Sequence, residues 1–348
     1  MYLQEILLTY NWCQGETHRG KCRASGRNFL YNPKSMFMLS DQMKERSKLI
    51  KEEALRLGFD GCGISRATRL DEEADHLRPW LEGGMNGNMR YMARHTDKRT
   101  DPRLLVENAA SVITVIINYY SDQRQKDPSA PVISKYIYGR DYHTVLKKKL
   151  RYLYDFMKRN MGPFRGRIFA GSAPVLEKAW AARSGLGWIG KNTLLITQNY
   201  GSFVFIGEII TDIDLANDTP LPDDCGNCTI CLEACPTGAL TAPKMLDARK
   251  CISYLTIENK GFIDESMKDK MGNRVFGCDA CQDVCPMNRN IIPTRLPEFR
   301  PREQLLDLTA DQWKRLDEDH FHDIFGQTAV ARAGFERIKR NIDFLLND

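Results

Sequence analysis

The stretch Cys225-Gly-Asn-Cys-Thr-Ile-Cys-Leu-Glu-Ala-Cys-Pro236 and the related stretch Cys278-Asp-Ala-Cys-Gln-Asp-Val-Cys-Pro286 decide the fold of the second half of this chain. The first has the spacing C-x2-C-x2-C-x3-C-P, in which three thiolates hold one iron–sulfur cluster and the cysteine before proline ligates a second cluster. The second stretch lacks the leading cysteine of its own quartet, which Cys251 can supply. The pattern therefore predicts two 4Fe-4S clusters that exchange one ligand.

This crossover divides eight cysteines into two sets of four. One cluster takes Cys225, Cys228, Cys231 and Cys285, and the other takes Cys235, Cys251, Cys278 and Cys281. Zinc knuckles and disulfides are the alternatives. Zinc sites usually pair two CxxC units across a longer loop and show no Cys-Pro crossover, so two clusters are the favoured interpretation.

Composition bounds the class of protein. The chain has 348 residues, enough for two or three domains, and its 42% hydrophobic and 27% charged residues are ordinary for a soluble globular protein. The longest apolar runs are too short to span a bilayer, and no signal peptide pattern is present. Cys13, Cys22 and Cys62 remain as free thiols, which favours a reducing cytoplasm. The net charge of +5 permits a polyanionic partner without requiring one.

Hydrophobic periodicity divides the chain into four segments. Residues 1–42 lack it and are expected to be a poorly ordered extension. Residues 43–217 alternate helical and strand patterns, which predicts an α/β or α+β domain with Ser111 to Asn118 as a central strand. Residues 218–292 form the ferredoxin-like domain with both clusters. Residues 293–348 are predicted to be a linker and helices that pack on the body.

Two clusters within electron-tunnelling distance deliver single electrons to an acceptor, so the domain ahead of them should hold an electron-accepting cofactor. Flavin, cobalamin, haem and a metal are the candidates. The sequence lacks G-x-G-x-x-G after a strand, C-x-x-C-H, and the D-x-H-x-x-G of cobalamin enzymes with a histidine ligand. The glycine-rich segment 185–192 suits either close approach to a planar ligand or cluster, or a tight helix-to-strand connection. The residues alone indicate an iron–sulfur oxidoreductase.

Seven further motifs occur in order along the chain. They are Tyr91-Met-Ala-Arg-His95, Lys98-Arg-x-x-Pro102, Gly139-Arg-Asp-Tyr-His143, Ser172-Ala-Pro-Val-Leu-Glu177, Gly185-Leu-Gly-Trp-Ile-Gly-Lys-Asn192, Cys251-Ile-Ser-Tyr-Leu-Thr256 and Gly272-Asn-Arg-Val-Phe-Gly-Cys-Asp279. Together they resemble the motifs of epoxyqueuosine reductases, cobalamin-dependent enzymes of tRNA modification that are related to reductive dehalogenases. The resemblance covers residues 43–345 and implies a cobalamin-binding domain of the reductive-dehalogenase type ahead of the ferredoxin-like domain.

The resemblance also implies a reaction, the reduction of epoxyqueuosine to queuosine at the wobble position of tRNA. The clusters would reduce base-off cobalamin, whose cobalt attacks the epoxide-bearing ring, and the oxygen would leave as water. The implied partners are tRNAs with anticodons of the Asp, Asn, His and Tyr type and an external electron donor. A monomer without a membrane partner is expected. The alternatives are a dehalogenase-like cobalamin enzyme acting on a small molecule and a ferredoxin-type electron carrier with no substrate of its own.

By position in the motifs, the resemblance implies residue roles. Cobalamin contacts fall on Arg99, Ser134, Leu195, Ile206, Ser253, Ala280 and Cys281, and a tRNA contact falls on Lys260. For the apolar positions, core packing is the alternative. The family places its proton-donating aspartate just before Ser-Ala-Pro, where this chain has Gly171. Asp141 and His143 are then the nearest candidate acids, and a helix N-cap is the alternative role for Asp141. We expect slowed turnover, which Gly171→Asp should raise by about tenfold or more.

Overall fold

The structure is a computed structural model, and it describes residues 33–346. The predicted extension over residues 1–42 therefore lies mostly outside the described residues, as do Cys13 and Cys22. The described chain begins with a helix, α1, at Pro33 rather than at Gln42, where its periodicity becomes clear. Proline suits the first turn of a helix because its missing N–H has no partner there in any case.

The regular elements are short outside the first domain. The strands are β1 (Gly61–Arg66), β2 (Ser111–Asn118), β3 (Val132–Ile133), β4 (Gly166–Phe169), β5 (Trp188–Ile189), β6 (Leu195–Ile196), β7 (Val204–Thr211), β8 (Leu240–Ala242), β9 (Met245–Leu246) and β10 (Arg274–Phe276). The α-helices are α1 (Pro33–Arg56), α2 (Asp71–Glu82), α3 (Thr96–Thr100), α4 (Tyr142–Met161), α5 (Glu177–Arg183), α6 (Ile230–Glu233), α7 (Lys268–Met271), α8 (Ala280–Asp283), α9 (Glu303–Leu306), α10 (Ala310–Lys314), α11 (Glu318–Phe325) and α12 (Phe335–Leu346).

A four-stranded sheet in the order β1-β2-β7-β4 organises the first domain. All three strand pairs are antiparallel, so the domain is α+β, one of the two classes that the sequence left open. Strand β2 lies between β1 and β7, and every one of its residues is buried, which confirms the predicted central strand.

Helices cover both faces of this sheet, which explains why its middle strands are apolar on both sides. Helices α1 and α4 pack on one face, where Leu146 and Leu150 meet Ile113 and Ile209. Helix α5 packs on the other face, where its Ala181 meets the side of the sheet that carries Ile116 and Ile206. Because side chains alternate along a strand, Glu208 shares this second face with Ile206 and Ile210.

The cysteine-rich segment and the tail complete the body. Strand β10, just before Cys278, pairs in parallel with β3 and so joins the second cysteine stretch to the first domain. Helices α9 to α12 form a further core around Trp313, Phe321 and Phe325, and this core includes Phe276 of β10. No helix within residues 33–346 is long and apolar enough to cross a membrane.

Candidate iron–sulfur site and active-site cleft

Four cysteine side chains surround one cavity of about 110 Å³, and they are Cys225, Cys228, Cys231 and Cys285. Helices α6 and α8, which lie within the two cysteine stretches, contact each other and so bring Cys285 to the first stretch. The side chain of Lys191 fixes the loop around the cavity, because its Nζ donates to the carbonyl oxygens of Gly226 at 2.6 Å and of Cys228 at 2.9 Å. The structure thus brings together the four thiols that the spacing assigned to one cluster.

The other four cysteines also influence one another electrostatically. Burial raises the pKa of Cys281, and nearby Cys278, Cys251 and Cys235 raise it further. The Cys235 sulfur accepts a hydrogen bond from the backbone N–H of Ala239 at 3.2 Å. Burial opposes ionisation of Cys235, but backbone N–H groups lower its pKa overall. Metal ligation replaces the thiol proton, and N–H donors aimed at sulfur favour the thiolate that remains, so these residues fit a cluster.

The glycine-rich segment 185–192 serves a tight connection and also reaches the cysteine cavity. It leads from α5 into the β5–β6 hairpin. A Cβ atom on Gly187 would lie 2.2 Å from the carbonyl oxygen of Ile196, so only glycine fits there. Lys191 and Asn192, at the end of the segment, line the cavity. Both interpretations of this segment therefore hold in part. Its backbone lies close to β6, as a tight connection requires, and its side chains Lys191 and Asn192 lie beside the cysteines.

Tyr136, Tyr142 and Glu177 are half-buried where the sheet domain meets the cysteine-rich segment, and this region is called the cleft below. A Cβ atom on Gly171, whose N–H binds Glu177, would lie 3.0 Å from the Tyr142 hydroxyl, and one on Gly277 would lie 3.3 Å from the Tyr136 ring. Burial raises the pKa of all three side chains. The charge of Glu258 raises the pKa of both Tyr136 and Tyr142, and also that of Tyr91. Glu258 therefore lies near these three tyrosines.

Some of the predicted cofactor contacts lie beside this cleft. Arg99 is buried, its Nη2 donates to the carbonyl oxygen of Tyr91 at 2.9 Å, and its Nε has no partner among the described residues. The Ser134 hydroxyl donates to Asp279 at 2.5 Å. Asp279 directly precedes the predicted contacts Ala280 and Cys281 at the start of α8.

The remaining predicted cofactor contacts have different surroundings. Leu195 and Ile206 pack against Ile116 and Ala181 in the hydrophobic core, which was the alternative role for apolar positions. Ser253 is half-buried and precedes the π-helix Tyr254–Glu258. Such π-helical turns are rare and frequently occur at functional sites. Lys260, the predicted tRNA contact, is exposed just beyond this turn.

Asp141 caps helix α4, as its alternative role requires. Its carboxylate accepts hydrogen bonds from the backbone N–H of His143 at 3.0 Å and from the ring Nδ1 of His143 at 2.7 Å. Burial opposes ionisation of Asp141, but the hydrogen bonds from His143 outweigh it and lower its pKa. A carboxylate that is ionised at neutral pH has no proton to give, so the structure favours the capping role.

A second carboxyl, Glu177, occupies the cleft and was quoted from the sequence only as the last residue of a motif. Its Oε1 accepts a hydrogen bond from the backbone N–H of Gly171 at 2.5 Å. Burial raises the pKa of Glu177 to about 7. Glu208 is fully buried on the sheet face that α5 covers, and neither of its carboxyl oxygens has a partner among the described residues. Burial and the charge of Glu177 raise the pKa of Glu208.

Gly171 has a backbone conformation that restricts what can replace it. Its φ of +69° lies in the left-handed region, and an added Cβ would lie 2.7 Å from Nε2 of His143. We expect Gly171→Asp and Gly171→Ala each to lower the free energy of unfolding by about 1–2 kcal/mol, measured by denaturant unfolding. If both variants had the free energy of unfolding of the wild type, the loop would accommodate a side chain without strain and this prediction would be wrong. The rise in turnover expected for Gly171→Asp remains a prediction and requires that His143 give way.

Comparison with known proteins agrees with this arrangement. Residues 224–288 match the family model for the 4Fe-4S double cluster binding domain, and residues 99–172 match that for epoxyqueuosine reductase QueG, DUF1730. An epoxyqueuosine reductase from Cellulophaga algicola is 52% identical over 302 residues, which are 87% of this chain and 98% of that protein. The epoxyqueuosine reductase of Escherichia coli is 38% identical over 316 residues, 88% of this chain and 82% of that protein.

Solved structures show the same similarity. A crystal structure of epoxyqueuosine reductase with an epoxyqueuosine-modified tRNA-Tyr stem loop superimposes with a TM-score of 0.81 at 32% identity, over 87% of this chain and 81% of that one. The structure of the enzyme from Streptococcus thermophilus has a TM-score of 0.78 at 30% identity, over 86% of this chain and 80% of that one.

An α+β domain followed by a 4Fe-4S double-cluster domain defines an iron–sulfur oxidoreductase that carries two 4Fe-4S clusters. Within that class, identities of 38–52% over more than four-fifths of the chain decide the family. The chain belongs to the epoxyqueuosine reductase family.

Proposed function

We propose that this protein reduces epoxyqueuosine to queuosine at the wobble position of tRNA, using cobalamin reduced through its two 4Fe-4S clusters. The main support is that the chain is 52% identical to an epoxyqueuosine reductase and brings four cysteines from its two cysteine stretches around one cavity. Removal of the epoxide oxygen as water consumes two electrons and two protons and leaves a carbon–carbon double bond. The chain must therefore supply an electron path and a proton donor.

We assign the electron path to the two cysteine quartets. The first would hold its cluster through the cysteines that line the cavity beside Lys191, and the second through Cys235, Cys251, Cys278 and Cys281. Cys281 follows Ala280 and lies two residues after Asp279, which binds Ser134, so the second cluster would be next to the predicted cofactor contacts. Electrons would then enter from an external donor at the first cluster and leave at the second.

The cleft residues fit a large cofactor such as cobalamin. Arg99 is buried beside the cleft with an N–H that no described residue accepts, and a ligand rich in amide oxygens would accept it. Ser134 and Ala280 flank Asp279 near Cys281, and Ser253 stands at the start of the π-helix. When bound there, cobalamin supplies low-potential cobalt chemistry that breaks carbon–oxygen bonds. Leu195 and Ile206 would support this wall of the cleft from within the core.

We assign proton delivery to Glu177. A general acid must hold its proton at the working pH, and Asp141 does not because its pKa is lowered. Burial raises the pKa of Glu177 to about 7, so this carboxyl holds its proton much closer to neutral pH than Asp141 does. The Gly171 N–H binds Oε1 of Glu177 and leaves Oε2 to carry that proton toward the departing oxygen.

The proposal extends to the partners of the reaction. A similar solved structure holds a tRNA stem loop, which supports tRNA as the substrate here. The substrates would be tRNAs with anticodons of the Asp, Asn, His and Tyr type, and Lys260 would contact them. We propose that the protein works as a monomer in the cytoplasm, where tRNA and reduced electron carriers are both present.

Anaerobic activity assays test this function against its two alternatives. The reconstituted protein is incubated with a strong reductant and either epoxyqueuosine-containing tRNA or an organohalide, with and without cobalamin. We expect nucleoside conversion only with tRNA and only when cobalamin is present. Dehalogenation without tRNA conversion would indicate the dehalogenase-like enzyme. Absence of corrin absorbance in the protein after gel filtration would indicate an electron carrier instead.

A further inference from the structure

Phe262 is the most exposed large apolar side chain in the part of the chain that the structure describes. Its relative exposure is 99%, and the next highest value among these side chains is 56%, at Leu55. A ring that is entirely in water contributes nothing to a hydrophobic core. Its position therefore calls for an explanation other than folding.

The loop that carries this ring is anchored on both sides. Asn259 and Ile263 are each only 6% exposed, whereas residues 260–262 between them project into solvent. Ile263 belongs to a hydrophobic cluster with Leu255 and Met271. Three residues thus stand out between two buried ones, and Phe262 is the largest of the three.

Hydrogen bonds fix the backbone of this loop. Arg340 of helix α12 donates to the carbonyl oxygens of Asn259 at 2.7 Å and of Gly261 at 2.6 Å. The side chain of Asn259 donates to the carbonyl oxygen of Phe262 at 3.1 Å and accepts from the N–H of Gly261 at 3.1 Å. Because the backbone is already ordered, a ligand that contacts the ring pays little entropy for ordering it.

The loop directly follows the π-helix Tyr254–Glu258, which begins after Ser253, one of the predicted cofactor contacts. Glu258 ends this helix and is only four residues before Phe262. Charges around the loop nearly balance, with basic Lys260, Lys268, Lys270, Arg337 and Arg340 against acidic Glu258, Asp264, Glu265 and Asp269. The surroundings therefore do not attract a polyanion strongly, and a contact at Phe262 depends on the face of its ring.

We propose that Phe262 stacks on an unpaired base of the RNA loop that carries the nucleoside to be reduced. The inference rests on the proposed function, because that function brings a single-stranded anticodon loop to this cleft. Proteins that recognise RNA loops stack splayed bases on aromatic side chains. A rigid, fully exposed ring close to the proposed active site suits a base next to the nucleoside to be reduced.

Equilibrium binding of an epoxyqueuosine-containing anticodon stem-loop to the reconstituted full chain tests this contact. We expect Phe262→Ala to raise Kd by about 5- to 150-fold, the range of base–aromatic stacking, and Phe262→Trp to bind like the wild type. The factor for Phe262→Ala should be the same at low and high salt, because stacking releases no counterions. Lys260→Ala should instead reduce the dependence of Kd on salt. Leu55→Ala, which removes another exposed apolar side chain, should leave Kd unchanged.

Other outcomes would overturn the proposal. If Phe262→Ala binds RNA as the wild type does while the wild type converts its substrate, the stacking contact is absent although the proposed function stands. If the variant changes the sedimentation coefficient of the free protein, the ring belongs to an interface with a second copy of the chain. If the wild type itself neither binds nor converts the RNA, both the stacking contact and the proposed function are wrong.

Discussion

The Cys285→Ala variant should lose one 4Fe-4S cluster and all measurable turnover with epoxyqueuosine-containing tRNA. Cys285 lines the cavity with the three cysteines of the other stretch, Cys225, Cys228 and Cys231. Its removal should therefore eliminate the cluster of the first stretch, although Cys285 follows the second stretch in sequence. Iron should fall from about eight to about four atoms per chain. Without an unbroken electron path no electron reaches the acceptor, so the loss of activity should be complete.

Two further variants make this result specific. Cys235→Ala should eliminate the other cluster, so that electron paramagnetic resonance of the reduced protein shows a different remaining signal in each variant. Cys62→Ser, in strand β1 and outside both sets, should keep all its iron and its activity. If Cys285→Ala instead removed the cluster of Cys278 and Cys281, each stretch would supply its own ligands and the crossover would be wrong.

The Glu177→Gln variant should reduce turnover by about 10²–10⁴-fold, the usual effect of removing a positioned general acid. Glutamine keeps an oxygen for the Gly171 N–H but has no proton to give. Because the acid acts in its protonated form, the wild-type rate should fall as pH rises through the pKa of Glu177, about 7. The residual rate of the variant should show no such fall. Single-turnover rates from pH 5.5 to 8.5 measure both effects.

Stability and a second variant separate proton delivery from a structural role. The pKa of Glu177 is raised on folding, so its contribution to stability is complete below about pH 4.5 and is lost as pH rises through about 7. The melting temperature of the Glu177→Gln variant should therefore not show this fall as the pH rises. Asp141→Asn keeps a good N-cap and should retain most activity. An active Glu177→Gln together with an inactive Asp141→Asn would show that Asp141 is the acid.

The main features of the fold could be read from the sequence where one local pattern dominates. The run Ser111–Asn118, rich in β-branched residues and apolar on both faces, predicted a central strand because such a run suits a strand covered on both sides. Asp141 was recognised as a possible N-cap from its place before the helical pattern. The antiparallel pairing was not predicted, because it depends on how β2 and β7, about ninety residues apart in sequence, come together. The start of α1 at Pro33 was missed because its first turns are weakly periodic.

The same reasoning explains what was missed in the site. Spacing alone grouped the eight cysteines, since ligands of a cluster recur at fixed intervals. Glu177 gains its raised pKa from burial in the folded cleft, and no local signal in the sequence reports it. Phe262 reads as an ordinary hydrophobic residue, and its exposure follows from the buried neighbours Asn259 and Ile263 and from Arg340 about eighty residues away. Motifs identify ligands well, whereas environments require the three-dimensional structure.

Nucleoside mass analysis after anaerobic single turnover tests the central claim most directly. Stoichiometric reconstituted protein is mixed with reductant, cobalamin and tRNA that carries epoxyqueuosine, and the tRNA is digested to nucleosides. We expect the epoxyqueuosine peak to be replaced by one lighter by a single oxygen, and only when the clusters, cobalamin and reductant are all present. Unchanged epoxyqueuosine with protein that holds its full iron and cobalamin would contradict the account.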